Sequence, residues 1–229
     1  LWEDIGNYFG AGASGLSVNE NEFTVFFNAG PTLGAPASVV GTDPIIPDLR
    51  LINQVTTARP GTGDQVYILG APYQTERRLT GTVPLGAANF PVRGSLHDPP
   101  ALLAGHLQAE LVTKGIKVEG GAWSMFAAEN AGMTFNGARK NIGNLESPPL
   151  FDLIARTNQF SVNTYSENLL KIIGVHTREQ GSYQAGVLGM ADFWGKTGMP
   201  LQGMRLYDGS GLSPSNRITA RQLNHILTY

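Results

Sequence analysis

Two short polar segments in the last third of the chain carry side chains that could take part in catalysis. They are Ser161-Val162-Asn163 and Asp208-Gly209-Ser210-Gly211-Leu212-Ser213. A serine hydroxyl is a poor nucleophile until a neighbouring base takes its proton, so serine chemistry needs a partner. Taken alone, Ser-x-Asn is also a common helix start, and Asp-Gly-Ser-Gly is also a tight turn. The meaning of both segments therefore depends on the elements around them.

Other catalytic patterns are absent or out of context. The four histidines, His97, His106, His176 and His225, lack the H-x-x-x-H and H-x-x-E-H spacings of zinc sites, so no metal site is predicted. No G-x-S-x-G elbow occurs. The run 10–15 fits G-x-G-x-x-G, but only nine residues precede it and a strand-like segment follows. A dinucleotide site needs a strand before the glycines and a helix after them, so a glycine turn is favoured.

The residues that follow Ser147-Pro148-Pro149 show helical spacing. A capping box, Thr219 to Gln222, precedes the last helix. Two of the apolar stripes flank Ser161-Val162-Asn163, which places that segment at a junction between helices. The stripes contain Leu150, Leu153 and Ile154; then Tyr165, Leu169, Ile172 and Ile173; then Val187, Met190, Ala191 and Trp194.

The first part of the chain is rich in strand and turn signals. Aromatic and β-branched residues predict strands over 22–27, 65–69 and 77–83, and the proline-rich stretch 31–47 predicts a loop or an edge segment. Asp98-Pro99-Pro100 predicts the start of a helix over 98–114, which Gly115 ends. Strands first and helices later indicate an α+β fold, with a boundary near residue 95 or 146.

Composition excludes several classes of protein. The 229 residues include 29 Gly, 14 Pro and no Cys, and 41% are hydrophobic, which excludes disorder, a disulfide framework and thiolate chemistry. A net charge of −2 gives no electrostatic footprint for nucleic acid. No apolar run approaches the ~20 residues of a transmembrane helix. The chain also begins without Met, so we expect a processed chain or a piece of a longer one.

The order and separation of the segments near the carboxyl end add further information. The chain there resembles the D-alanyl-D-alanine carboxypeptidase/endopeptidase family, the low-molecular-mass class C penicillin-binding proteins. Residues 2–11, Asp98-Pro99-Pro100 and residues 115–118 are also similar to that family. The segments that carry the resemblance are Ser147-Pro148-Pro149-Leu150, Ser161-Val162-Asn163, Glu167-Asn168-Leu169-Leu170-Lys171, Asp208-Gly209-Ser210-Gly211-Leu212-Ser213 and Ile218-Thr219.

The resemblance implies a β-rich inserted domain region over 1–146 and the helical portion of a penicillin-binding, β-lactamase-like serine transpeptidase domain over 147–229. It implies that Ser161 relays a proton to the leaving group and that Asn163 holds the substrate amide. Asp208, Gly209, Ser210 and Gly211 would form a structural motif near that site. The implied substrates are peptidoglycan stem peptides and β-lactams, without a cofactor, in the periplasm or elsewhere outside the bacterial cytoplasm.

The nucleophile that such a mechanism requires is missing. The family combines Ser-x-x-Lys, Ser-x-Asn and Lys-Thr-Gly in one cleft, but none of the twelve serines has Lys three residues later. Lys196-Thr197-Gly198 does spell the third motif, but it precedes Asp208, whereas the family places it on a strand after that segment. Its flanks predict a helix end and a turn. We therefore expect an internal fragment that is inactive alone.

The residues leave two alternatives open. The chain could be a non-catalytic cell-wall or protein-interaction module with the same fold, or a dinucleotide-binding domain built on residues 10–15. A homodimer that covers exposed apolar faces is also left open.

Overall fold

The protein consists of two compact units, Trp2–Leu150 and Phe151–Tyr229. Its computed structural model describes residues 2–135, 137, 140, 141 and 143–229. The strands are β1 (Glu22–Asn28), β2 (Ser38–Asp43), β3 (Arg50–Asn53), β4 (Thr56–Ala58), β5 (Gln65–Leu69), β6 (Glu76–Pro84) and β7 (Phe90–Ser95). The helices are α1 (Pro99–Thr113), α2 (Met125–Asn130), α3 (Leu150–Phe160), α4 (Asn163–Arg178), α5 (Tyr183–Lys196) and α6 (Ala220–Thr228). A strand-rich first part and a helical second part confirm the α+β prediction.

The first sheet is antiparallel, in the order β2-β1-β7. Alternate residues of β1, Phe23, Val25 and Phe27, are buried, as expected for a strand with one face against a core. The edge strand β2 lies within the proline-rich stretch 31–47 and agrees with the edge assignment made from its prolines.

The second sheet is built around the nine-residue strand β6. Along one side of β6, β3 pairs in parallel at its start and β4 pairs in parallel at its end, while β5 pairs antiparallel on the other side. The side chains of both sheets share one core, which contains Phe23, Val25, Phe27, Val55, Val66, Ile68, Leu79, Val83 and Val92.

The first ten residues are fixed to these sheets by hydrogen bonds. Asn7 accepts a bond from the Ile68 amide at 3.0 Å, and the Ser95 hydroxyl donates to the Ile5 carbonyl at 2.6 Å. The 10–15 run begins at the end of the 3₁₀ turn Tyr8–Gly10 and is followed by another 3₁₀ turn and β1. The described residues here therefore lack the strand and the α-helix that a dinucleotide site needs on either side of its glycines.

Helix α1 begins and ends where the sequence predicts. The Asp98 carboxylate accepts from the Ala101 amide at 3.1 Å, and Gly115 has a φ of +76° just beyond the helix. The buried leucine of this helix is Leu102, whereas Leu107 is 58% exposed. The helix thus packs through the face that carries Leu102.

In the second unit, α4 and α5 form a close pair because glycines line their contact. A Cβ at Gly186 would meet the Leu170 carbonyl, and a Cβ at Gly189 would meet the Thr177 hydroxyl. Arg178 of α4 forms an ion pair with Asp192 of α5. The two helices therefore form the rigid part of this unit.

Helix α6 is attached through one fully buried glutamine. The Gln222 amide donates to the carbonyls of Pro200 at 2.7 Å and Gln202 at 3.2 Å, and its oxygen completes the predicted capping box with Thr219. Within the described residues, no helix has both the length and the apolar composition to cross a bilayer.

Candidate active site

Ser161 occupies the turn between α3 and α4 in a backbone conformation that serine rarely adopts. Its φ is +54°, in the left-handed region, and its side chain is exposed. The following residue, Val162, is buried and donates its amide to the Thr157 carbonyl at 3.2 Å. That bond closes a helix C-terminus of the kind that usually has glycine at the left-handed position. The fold therefore holds a serine where glycine would cost less.

Asn163 begins α4 immediately after this turn. The Val162 carbonyl accepts from the Tyr165 amide at 3.2 Å, which starts the helical hydrogen bonding. Asn163 is partly buried and Thr164 is almost fully buried. Ser161 and Asn163 thus lie at one helix junction, as their spacing predicts.

The second candidate segment is a turn held together by one carboxylate. Asp208 accepts from the amides of Gly211 at 2.9 Å and Ser213 at 2.6 Å, and from the Asn216 side chain at 2.6 Å. Gly211 has a φ of +82°, which explains why this position favours glycine. We call residues 208–213 the Asp208 turn.

A buried glutamate on α4 attaches the Asp208 turn to the helix. Glu167 is 6% exposed, and its two carboxylate oxygens accept from the amides of Gly209 at 3.1 Å and Ser210 at 2.9 Å. A Cβ at Gly209 would meet the Ser166 carbonyl, so the turn lies directly on the helix backbone. Two backbone amides and one close approach therefore fix the turn on α4.

Tyr183 of α5 contacts the same glutamate. Partial burial, the negative charges of Glu167 and Asp208, and a hydrogen bond to Glu167 raise the pKa of Tyr183 to about 12. The phenol therefore keeps its proton and remains a donor at physiological pH. Lys171 lies over the Tyr183 ring, with its ammonium 4.5 Å from the ring centroid.

Beside the Asp208 turn lies an open groove of about 470 Å³. Asp208, Gly209 and Gly211 form part of its wall, as does Ser166, whereas none of the described lining residues is Ser161 or Asn163. The apolar part of its lining consists of Ile154, Leu169, Leu170, Ile173, Met190, Leu206 and Ile218.

Lys196-Thr197-Gly198 lies at the end of α5, which confirms the helix-end prediction. Lys196 is the last helical residue, and Gly198 has a φ of +88°. The Thr197 hydroxyl is 3.0 Å from Nε2 of His225 on α6. This triplet is therefore part of the connection between α5 and α6.

In the part of the chain that the structure describes, no group of three or more His, Asp or Glu side chains is arranged to hold a metal ion.

The chain belongs to the D-Ala-D-Ala carboxypeptidase 3 (S13) family, which matches over residues 1–229. This finding confirms the resemblance seen in the sequence.

Two kinds of relative support the assignment. A D-alanyl-D-alanine carboxypeptidase from Actinomadura sp. (strain R39) is 30% identical over 173 residues, which cover 75% of this chain and 31% of the relative. The crystal structure of penicillin binding protein 4 (dacB) from Haemophilus influenzae matches with a TM-score of 0.74 at 18% identity. It covers 98% of this chain and 48% of that one. A second structure of that protein, complexed with a β-lactam, has a TM-score of 0.71 at 18% identity, covering 94% of this chain and 49% of that one.

These matches confirm the predicted fold, a β-rich region followed by the helical part of a penicillin-binding domain. The chain spans about a third of the length of the curated relative and about half of the solved structure.

Sequence reasoning assigned no role to Glu167 or Tyr183. Glu167 stands four residues after Asn163 and therefore on the same face of α4. An acidic residue between the apolar positions Tyr165 and Leu169 was the available signal for a buried polar contact.

Proposed function

We propose that these 229 residues are part of a longer serine-type D-Ala-D-Ala carboxypeptidase/endopeptidase, called the whole protein below. It would hydrolyse peptidoglycan stem peptides through an acyl-enzyme and be acylated by β-lactams. The observation that carries the proposal is the exposed Ser161, held at a φ of +54° one residue before Val162 and two before Asn163. Strained backbone at an exposed polar residue is typical of functional sites.

The proposed chemistry divides between this chain and residues outside it. A serine from a Ser-x-x-Lys motif elsewhere in the whole protein attacks the carbonyl of the penultimate D-Ala, and the lysine takes its proton. The Ser161 hydroxyl relays that proton from the lysine to the amine nitrogen of the departing D-Ala as the C–N bond breaks, and Asn163 binds the substrate amide. Water then attacks the ester, releases the shortened peptide and returns a proton to the serine. The 229 residues alone are expected to be inactive.

The proposed organisation places residues 1–146 in an inserted β-rich region and residues 147–229 in the helical part of the penicillin-binding domain. Cell-wall peptides are the substrate, so the whole protein acts outside the cytoplasm, and no cofactor is needed.

The test measures D-Ala release and β-lactam acylation by the whole protein and its variants. Ser161→Ala is expected to slow turnover by ~10²–10⁴-fold because a positioned proton donor contributes about that much. Asn163→Ala is expected to raise KM and slow acylation. Ser215→Ala, an exposed serine in the same unit, is the matched control and should behave like the unsubstituted protein. Full activity of Ser161→Ala would contradict the assigned role.

The missing Ser-x-x-Lys favours one alternative, a non-catalytic cell-wall or protein-interaction module. The alternative predicts that a chain with native ends near Leu1 and Tyr229 binds its partner and never forms an acyl adduct. A Ser-x-x-Lys motif upstream in the coding sequence supports the enzyme instead.

A further inference from the structure

We infer that Glu167 is a positioning residue for the proposed acyl transfer, acting by fixing the Asp208 turn on α4, the helix that Asn163 begins. This inference rests on the proposed function, because it assigns a task to a residue of that same site. Glu167 itself touches the turn and Tyr183, and it acts on the reaction only through the turn that it holds.

Glu167 lies on the helix that Asn163 begins. Asn163 and Glu167 are four residues apart on α4, so their side chains lie one turn apart on the same face. The turn held by Glu167 therefore lies along the face from which Asn163 projects. A shift of the turn along α4 would change the surroundings of Asn163.

The carboxylate of Glu167 faces donors of the Asp208 turn. It accepts two hydrogen bonds, from the amides of Gly209 at 3.1 Å and Ser210 at 2.9 Å. A carboxylate has acceptors only, and so it satisfies both donors. A glutamine at this position would direct an NH₂ group at one of these donors and leave a backbone amide of the turn without an acceptor. The site thus requires a carboxylate, and a neutral side chain of the same size does not replace it.

The contact between the Asp208 turn and α4 is close and buried. Glu167 is 6% exposed, and Gly209 lies so close to Ser166 that a Cβ would meet the carbonyl oxygen of that residue. On the outer side of the turn, Asp208 binds the amides of Gly211 and Ser213. The turn is internally rigid, and Glu167 sets where this rigid unit lies on α4.

The experiment compares Glu167→Gln with a matched control in the whole protein. Glu179→Gln removes the same charge from the exposed end of α4. For Glu167→Gln we expect a ~10–100-fold slower acylation by a penicillin and a lower kcat for D-Ala release, because a misplaced site group costs about that much. Glu179→Gln should match the unsubstituted protein.

A purely structural role is separated by a double-mutant cycle with Asn163→Ala. If Glu167 acts through the Asn163 site, the losses in acylation rate are not additive. Fully additive losses, or unchanged acylation by Glu167→Gln, would overturn the inference.

If Glu167→Gln does not fold, Gly209→Ala displaces the turn while Glu167 stays in place, and it should slow acylation in the same way. Normal acylation by folded Gly209→Ala would equally overturn it.

Failure of the proposed function has a different signature. An unsubstituted whole protein that forms no acyl adduct removes both proposals. Acylation of the unsubstituted protein with an unchanged rate in Glu167→Gln removes only the inference about Glu167.

Discussion

At the scale of single residues, three side chains occupy positions where their residue type lowers the stability of the folded state. Ser161 takes a left-handed conformation that favours glycine, Glu167 is buried as an acceptor of two backbone amides, and Arg77 is buried at 1% exposure. Each of these features costs stability unless its partners are present.

The strain at Ser161 predicts a trade-off between stability and function. Ser161→Gly should raise the free energy of unfolding by about 1 kcal/mol, because glycine adopts a positive φ without a Cβ clash. Ser161→Ala keeps the clash and should bring no such gain. Chemical denaturation of the 229-residue chain checks this, and a destabilised Ser161→Gly would show that the serine is not strained. Both substitutions remove the hydroxyl that the proposed proton transfer needs.

Arg77 holds a loop of the β-rich unit in place. Its guanidinium Nη1 donates to the carbonyls of Ala71, Gln74 and Glu76 at 3.1, 2.8 and 3.2 Å. Arg77→Met should cost about 3 kcal/mol or more, since the three carbonyls lose their buried donor. Arg78→Met, the exposed neighbour, is the matched control and should change little. Equal unfolding midpoints in urea for the two variants would contradict this role.

Glu22 makes the stability of the β-rich unit depend on pH. Burial, opposed by Arg93 and assisted by the charge of Glu20, raises the pKa of Glu22 from 4.5 to about 7. The folded state therefore holds this proton more tightly than the unfolded state. The resulting contribution to the free energy of unfolding is complete below pH 4.5 and is lost as pH rises through about 7. Between pH 4.5 and pH 8, the melting temperature should fall further for the unsubstituted chain than for Glu22→Gln. Parallel curves would exclude this group as the cause.

At the scale of elements, the contact between α4 and α5 leaves little room for added side-chain volume. Gly186 packs on the Leu170 carbonyl, so Gly186→Ala should cost about 2–3 kcal/mol through overpacking. Gly105 in α1 has open space where a Cβ would lie, so Gly105→Ala should be neutral or stabilise by up to about 1 kcal/mol. Unfolding free energies of the two variants measure the difference, and a neutral Gly186→Ala would contradict the close approach.

The sequence predicted the elements whose signals are local. The strands β1, β5 and β6 have apolar runs with turn residues at their ends, and Asp98 and Gly115 mark the ends of α1. Strand β7 was missed because Pro91 and Gly94 are poor strand residues, and its pairing with β1 is made at a distance along the chain. The strands β3 and β4 have only four and three residues and depend on β6 for their hydrogen bonds.

The candidate site shows the same division. The Ser161–Asn163 junction and the Asp208 turn follow from short motifs, because cap and turn preferences are local. The link between them, from Glu167 to the amides of Gly209 and Ser210, spans 42 and 43 residues of sequence. No spacing rule predicts such a contact.

At the scale of the whole molecule, the helical unit leaves much apolar surface uncovered. Its exposed large side chains lie on all four helices and include Phe151, Phe160, Ile172, Leu188, Phe193, Leu223 and Leu227. Exposed apolar side chains that form a contiguous patch mark surfaces that contact other protein. Under the proposed function, these side chains would contact the rest of the whole protein.

This surface predicts how the 229-residue chain behaves alone. It should bind the dye ANS strongly or self-associate, whereas the whole protein should do neither to the same extent. Dye fluorescence and size-exclusion chromatography with light scattering measure both properties. A monomeric chain that does not bind the dye would show that the exposed side chains need no cover.

The most direct test of the central claim is intact-mass analysis after incubation with a penicillin, applied to the whole protein and to the 229-residue chain. We predict one covalent adduct on the whole protein and none on the chain, because none of its twelve serines has the lysine partner of the proposed Ser-x-x-Lys nucleophile. An adduct on the 229-residue chain, or an unlabelled whole protein, would contradict the account.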